Sequence, residues 1–297
     1  QGSLMAAVAA PSGEVGNSID YGGGRGFFTT ETVLNYFSYL TDANASDFGE
    51  ATIGSDSAGL CGSGGNRAVF VGGGSETTMK YVTTTSTGNA SDFGTLSPAR
   101  YAPTGCSNGT RGLWGGGRVG SNTTNIAYIT VASAGNASSF GELNLARHGR
   151  DSISGGVRGI FANGQDPHTT SIEYVTVSST GNASNFGNTT TARTFGTGSN
   201  SDPGSGQNRG VFMAGFSGVD DHCDYINCSS TGNATEWGEL VTGHGYRCGS
   251  GTNGPTAHIS GGGNQEMTFV NIDTAGSSTA GGNLYQSGSG SGASGNA

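Results

Sequence analysis

The residues that could do chemistry in this chain are few, and their spacing selects no reaction. His148, His168, His222, His244 and His258 form no His-x-His or His-x3-His pair of the kind that seats a metal. No Gly-x-Ser-x-Gly elbow sits on a strand-to-helix turn, so Ser-His-Asp hydrolysis has no nucleophile to start from. The expectation is therefore no catalytic set, no metal set and no cofactor. Charged and amide side chains gather instead where otherwise similar segments differ: Glu76, Arg118, Asp166, His168, Asp220, Asp221, His222, Gln265 and Glu266. Such a carboxylate-rich, aromatic-poor set can hold sugars through hydrogen bonds, or a cation through Asp220 and Asp221. Ordinary solvated loops are the plain alternative.

A second group recurs with a period. Asn44, Asn89, Asn136, Asn182 and Asn233 each stand in an Asn-Ala-Ser/Thr sequon, at steps of 45, 47, 46 and 51 residues. These asparagines read either as glycosylation acceptors on a eukaryotic secretory route or as turn residues serving the backbone. Their periodicity favours the backbone role. An aromatic follows each of them: Phe48, Phe93, Phe140, Phe186 and Trp237. One aromatic per repeat suits packing between units better than a single glycan platform. Arg25, Arg67, Arg111, Arg158 and Arg209 recur likewise, as do Arg100, Arg147 and Arg193. Guanidinium forks satisfying carbonyls or carboxylates between units account for both sets.

The elements that must carry these residues follow from the same period. A repeat near 45–50 residues is the signature of a propeller blade or a related array. An Arg phrase opens a strand at 25, 67, 111, 158 and 209, with Thr256 in a degenerate sixth copy. A tyrosine marks the next strand at 36, 81, 128, 174 and 225, with Val270 in the sixth. The Asn phrase begins eight residues after each tyrosine, and the same step from Val270 reaches Ser278. The distance from Arg to Tyr varies, by contrast, from 11 to 17 residues. A further insertion near Ser199 to Gln207 lengthens the chain around the fourth-to-fifth link. Function, if local, should lie in these variable connections.

The pattern predicts an all-β fold, a six-bladed β-propeller of four-stranded antiparallel blades. The units are 15–50, 51–95, 96–142, 143–188, 189–239 and 240–283, with 1–14 and 284–297 as terminal closing segments. Ile19-Asp20-Tyr21 falls where the first strand of the first blade is expected. With 58 glycines and 11% charged residues, the composition alone would suggest a flexible chain, but the regular return of strands and turns rejects that.

A net charge of −9, with Lys80 the single lysine, leaves no basic stripe for nucleic-acid phosphates. No apolar run approaches the roughly 18–20 residues of a membrane-spanning helix, so no membrane insertion is expected. The longest, Leu4 to Ala10, lacks the basic leader of a signal peptide. Five cysteines leave at least one thiol free within one chain. Cys223 and Cys228 share one expected strand, roughly 16 Å apart and too far for a bridge; Cys61, Cys106 and Cys248 fall on equivalent strands and read as small buried fillers rather than ligands.

The unit Ala99-Arg100, Gly105-Cys106, Arg111-Gly112-Leu113-Trp114-Gly115-Gly116, Tyr128-Ile129-Thr130, Asn136, Phe140-Gly141-Glu142-Leu143 resembles a divergent kelch repeat. Its Asn-Ala-Ser-Asp-Phe-Gly wording is similar to kelch-like repeats of virion proteins from marine phages and algal viruses. The resemblance covers about residues 15–283. It implies a virion or extracellular structural module, not an enzyme, which presents its variable loops to a partner protein or host surface. Neighbouring subunits in a symmetric assembly are the expected partners. A carbohydrate-binding adhesin for host attachment is the alternative. A kelch-fold copper oxidase or a hydrolase is a remoter one, because tyrosines, histidines and cysteines are present without a spacing that selects them.

Overall fold

The computed structural model describes residues 25–30, 33–38, 43–51, 53, 59–64, 67–71, 76–201, 208–216, 218, 220–246, 248–252, 254–262, 264–276, 278–285 and 293–294. Six four-stranded antiparallel sheets make a six-bladed propeller. Blade 1 contains β1 (Arg25–Thr30), β2 (Val33–Ser38) and β3 (Ser46–Glu50). Blade 2 is β4 (Gly59–Gly64), β5 (Arg67–Val71), β6 (Thr78–Thr83) and β7 (Ser91–Thr95). Blade 3 is β8 (Thr104–Ser107), β9 (Arg111–Gly115), β12 (Asn125–Thr130) and β13 (Ser138–Glu142). A small hairpin, β10 (Arg118–Val119) and β11 (Ser121–Asn122), interrupts that blade between its middle strands. Blade 4 is β14 (Asp151–Gly155), β15 (Arg158–Ala162), β16 (Ser171–Thr176) and β17 (Ser184–Asn188). Blade 5 is β18 (Thr197–Asn200), β19 (Arg209–Met213), β20 (His222–Asn227) and β21 (Thr235–Glu239). Blade 6 is β22 (Cys248–Thr252), β23 (Thr256–Gly261), β24 (Asn264–Asn271) and β25 (Ser278–Asn283). The last strand, β26 (Ala293–Ser294), pairs with β1 and completes blade 1.

Closure by β26 corrects one sequence expectation. The place beside β1 belongs to Ala293–Ser294, which pair with Phe28 and Phe27, whereas Ile19 to Tyr21 lie outside the described residues. A strand from the far end of the chain ties the first blade to the last, and local register cannot reveal which terminus supplies it. β26 touches both β22 and β4, so the innermost strands form a continuous ring about the axis.

Each layer of a blade has its own composition because each has its own neighbours. Second strands such as Arg-Gly-Leu-Trp-Gly are buried beyond their first residue, packed on both faces, and so read as apolar runs. Inner strands crowd the axis and use small residues, with Ser and Thr hydroxyls bridging blades: Thr104 Oγ1 donates to Ser152 Oγ at 2.9 Å and Ser199 Oγ to Ser250 Oγ at 2.9 Å. Outer strands bury one side chain, Phe140 in β13. That aromatic is the extra residue of a β-bulge: Ile126 pairs with Gly141 and Ala127 with Ser139, leaving Phe140 unpaired and free to lean into the seam. The same shift recurs in blades 1, 2, 4 and 5.

The core is accordingly six wedges, one per seam, rather than one mass. Five seams carry an arginine clamp. The guanidinium of the Arg phrase lies 4.4–5.0 Å from the centroid of its own blade's tyrosine at Arg25, Arg67, Arg111, Arg158 and Arg209. It then donates to a carbonyl of the next blade, as Arg67 does to Ala132 at 2.8 Å and Arg158 to Cys228 at 3.1 Å. The recurring arginines are thus structural, as their periodicity suggested.

The repeated asparagines are seam caps. Asn136 Oδ1 accepts from Thr95 N of the preceding blade at 3.0 Å, and Asn89, Asn182 and Asn233 do the same for Glu50, Glu142 and Asn188 at 3.0–3.1 Å. Asn44 closes the circle by accepting from Asn283 N at 2.9 Å. In the decayed copy Ser278 Oγ substitutes, accepting from Val241 N at 2.8 Å. Replacing Asn136 by alanine should cost about 1 kcal/mol in urea unfolding, whereas aspartate, which keeps the acceptor, should cost less than half of that.

Candidate interaction face

Strand order puts two sets of connections on one face: those between second and third strands, and those between blades. They are sewn together. Isolated bridges pair Tyr101 with Arg118, His148 with Gln165 and Thr194 with Phe216, joining each interblade link to the variable loop of the blade it enters. Gly117, Gly164 and Gly215 then donate to the carbonyls of Arg147, Arg193 and His244 in the next link, at 2.9, 3.1 and 3.1 Å. Gly149 N to Ala102 O (3.2 Å) and Phe195 N to Gly149 O (2.7 Å) join successive links around the axis.

Beneath this mesh the second arginine set is wholly buried. Arg100 donates to Asn125 O at 2.8 Å, and Arg147 to Asn163 O at 3.1 Å. Arg193 donates to His222 O at 3.0 Å and pairs with Asp224, both side chains 0% exposed. Arg150 pairs with Glu173 at 2.8 Å, equally buried. His244 takes the arginine's place before blade 6, bonding Gly261 O and Thr268 Oγ1, and burial holds its imidazole below the ordinary value. Asp151, at the head of β14, accepts from Asn163 Nδ2 at 2.7 Å; burial pushes its carboxyl up to about 7 against the pull of Arg193.

The centre of the face is aromatic, contrary to the aromatic-poor rim expected. Tyr101 and Tyr246 enter from the links to blades 3 and 6, on opposite sides of the ring, and their hydroxyls meet at 3.0 Å. Phe195 lies 4.4 Å from the Tyr246 ring centroid and 5.9 Å from that of His148. Phe216 continues the array 5.9 Å from Tyr246 and is 56% exposed, while Arg118 stacks over Tyr101 at 5.4 Å. Four of these five rings come from the interblade links, whose residues match no repeat landmark. The one available signal was the aromatic or His within three residues after Arg100, Arg147, Arg193 and His244.

The expected site residues scatter around this array. Arg118 and Asp166 adjoin it: Asn122 bonds His148 Nδ1 at 2.8 Å and donates to Asp166 O at 3.1 Å. Burial, then the charge of Arg118, lowers the His148 imidazole. Glu76 and His168 lie on the same kind of connection in blades 2 and 4, but Gln265 and Glu266 do not: the connection before the third strand of blade 6 is so short that both fall within β24, where Glu266 pairs with Asn283. Asp220 and Asp221 use backbone carbonyls to hold the next link, accepting from His244 N and Leu240 N at 2.7 Å each. Among the described residues, no three His, Cys, Asp or Glu side chains group as a cation site. His222 and Asp224 flank Thr190, yet Thr190 and the carboxylate face the same imidazole nitrogen, Nε2, so no proton relay runs through them.

Comparison with protein-family models and with curated proteins finds no match to the chain. The architecture rests on its own geometry. The insertion near Ser199 to Gln207 leaves this face altogether: Ser199 and Asn200 belong to β18, so the extra residues join the first and second strands of blade 5 on the opposite side. Positions 202–207 lie outside the described residues. The four thiols described, Cys106, Cys223, Cys228 and Cys248, are buried and free, and the Cys61 side chain lies outside the description. Cys106 and Cys228 pack against Gly159 and Gly210 of adjacent strands, and burial pushes both up to about 12. Cys228 stands one residue beyond β20 rather than within it. The five sequon asparagines are exposed, with their oxygens engaged as seam caps.

Proposed function

We propose that this protein is a non-enzymatic interaction module, a structural component of a virion or extracellular assembly, which docks neighbouring subunits or a host surface through its loop face. One observation carries the reading. A face whose loops are cross-bonded through buried arginines presents a large aromatic, Phe216, to solvent beside Tyr246. Exposed aromatics on a pre-organised scaffold lose little side-chain entropy on docking, and such residues dominate the binding energy of protein interfaces. The imidazoles of His148, His222 and His244 and the carboxylates of Glu173 and Asp224 support a non-catalytic role, since each holds a loop.

The test is the solution mass of native material, with and without Phe216→Ala. We expect a symmetric assembly whose affinity falls about tenfold or more in the variant. A native particle that is only a monomer removes the structural reading. The adhesin reading is favoured by the same exposed ring beside a pair of phenol hydroxyls. It fails if a glycan array gives no signal, or if binding is unchanged by Phe216→Ala and by substitution of Asp166 and His168.

A further inference from the structure

The ion pairs beneath the loop face leave one buried carboxyl over. Asp151 opens β14 and pairs with Ala162, the register at which blades 3, 5 and 6 place Thr104, Thr197 and Cys248. It is 0% exposed and joins three connections. Oδ2 accepts from Asn163 Nδ2 at 2.7 Å, where the variable loop of blade 4 begins. Asn163 Oδ1 accepts in turn from Thr189 Oγ1 at 2.7 Å, and its carbonyl accepts from Arg147. Asp151 Oδ1 lies against Gly196 of the next link, where a methyl group would meet Oδ1, Met213 O and Ala214 O at 2.9 Å each. Among the described residues no donor reaches Oδ1. A buried oxygen that shares one methyl-sized space with two carbonyls is costly as an anion and well placed as an O–H.

We propose that Asp151 is a proton-operated pin of the loop face: as a neutral acid it holds together the blade 4 loop, the link at Gly196 and the end of β19, and giving up its proton loosens all three. The pin governs the order of these connections, whatever binds to them. The charges packed around it are already engaged. Arg150 pairs with Glu173 of β16, and Arg193 with Asp224 of β20. Arg147 turns to the Asn163 carbonyl, and the thiols of Cys223 and Cys248 are raised by burial and stay neutral. Burial therefore outweighs the pull of Arg193 and Arg150, Asp224 adds to it, and the carboxyl stands at about 7 instead of its ordinary 3.8. The sign follows from a folded value above the open one. The closed state binds the proton more tightly between about 4 and about 7, so the hold is complete below that window and is lost as pH rises through it.

Hydrogen exchange of the intact chain, corrected for intrinsic rates, tests this. The amides of Asn163, Gly164, Ala214 and Phe216 donate to the carbonyls of Ser171, Arg193, His222 and Thr194. From pH 4 to pH 7 their protection should fall by up to about 1000-fold relative to Leu96 and Gly116 of blades 2 and 3, at no more than tenfold per pH unit. Asp151→Asn keeps an acceptor for Asn163 and supplies a permanent donor, so it should retain the low-pH protection and abolish the relative fall. If that variant does not fold, infrared spectroscopy of the parent decides. A protonated-carboxyl band should persist at pH 6, where ordinary carboxylates have ionised. Equal loss in blades 2 and 3, an unchanged pH response in Asp151→Asn, or no such band at pH 6 would overturn the pin.

Discussion

Asp224→Ala should be the most damaging single truncation in the protein, lowering stability by about 3–5 kcal/mol in equilibrium urea unfolding. Among the described residues, Asp224 is the carboxylate in ion-pair contact with the Arg193 guanidinium, both side chains being 0% exposed, while the largely protonatable Asp151 lies within its field. Removing Asp224 strands a cation in the interior, where the carbonyls of Phe212 and His222 satisfy its hydrogen bonds but not its charge. Asp224→Asn keeps an acceptor and should cost less. The double variant Arg193→Met with Asp224→Leu should recover most of the loss, since an apolar pair of similar volume replaces a buried ion pair at little cost. Additive single and double effects would show that the pair is not coupled. The consequence reaches the proposed docking face, because Arg193 anchors both the Phe212 carbonyl and the His222 carbonyl at the two ends of the loop that carries Phe216. The variant should lose docking at temperatures where the blades remain folded.

The repeating part of this fold was legible in sequence because repetition fixes register. Arg25, Arg67, Arg111, Arg158, Arg209 and Thr256 each begin the second strand of a blade, and the fixed Tyr-to-Asn step corresponds to the third strand and its turn. A residue type recurring in every unit must satisfy a contact that recurs in every seam. Three things were not legible. The closing strand, Ala293–Ser294, lies in the 284–297 segment expected to help close the ring, but two small residues leave no periodic trace that would select them over Ile19–Tyr21 for the place beside β1. The insertion after Ser199 was placed on the wrong face because length alone does not say which hairpin has grown. The aromatic array was missed because Tyr101, His148, Phe195 and Tyr246 occupy non-identical offsets within their links. Left-handed backbone at Ala102 (φ 48°), Gly149 (φ 59°) and Phe195 (φ 56°) brings those links to a common geometry that one-dimensional spacing does not encode.

The phrase that recurs in blades 2 to 5 also makes the sharpest forecast, because its two glycines face each other across a seam and only one of them tolerates a side chain. A methyl group on Gly141 would run into the carbonyl oxygen of Gly181 in the next blade, while a methyl group on Gly181 meets nothing within 4 Å. Gly181 N donates to Phe140 O at 2.9 Å, so neither backbone can retreat without breaking the seam ladder. Gly141→Ala should therefore destabilise by about 3 kcal/mol, at the upper end for overpacking, since the obstacle is backbone and not a flexible side chain. Gly181→Ala should fall within about 0.5 kcal/mol of the parent, or gain slightly by restricting the unfolded chain. The same asymmetry holds for Gly94 against Gly135 and for Gly187 against Gly232, so the contrast can be checked at three seams by thermal or urea unfolding. Equal effects at both glycines would mean that the phrase serves its own turn and not the next blade. An intolerant first glycine beside a tolerant second one assigns the motif to the joint between blades, and explains why an exposed stretch of chain repeats so faithfully while the connections between second and third strands do not.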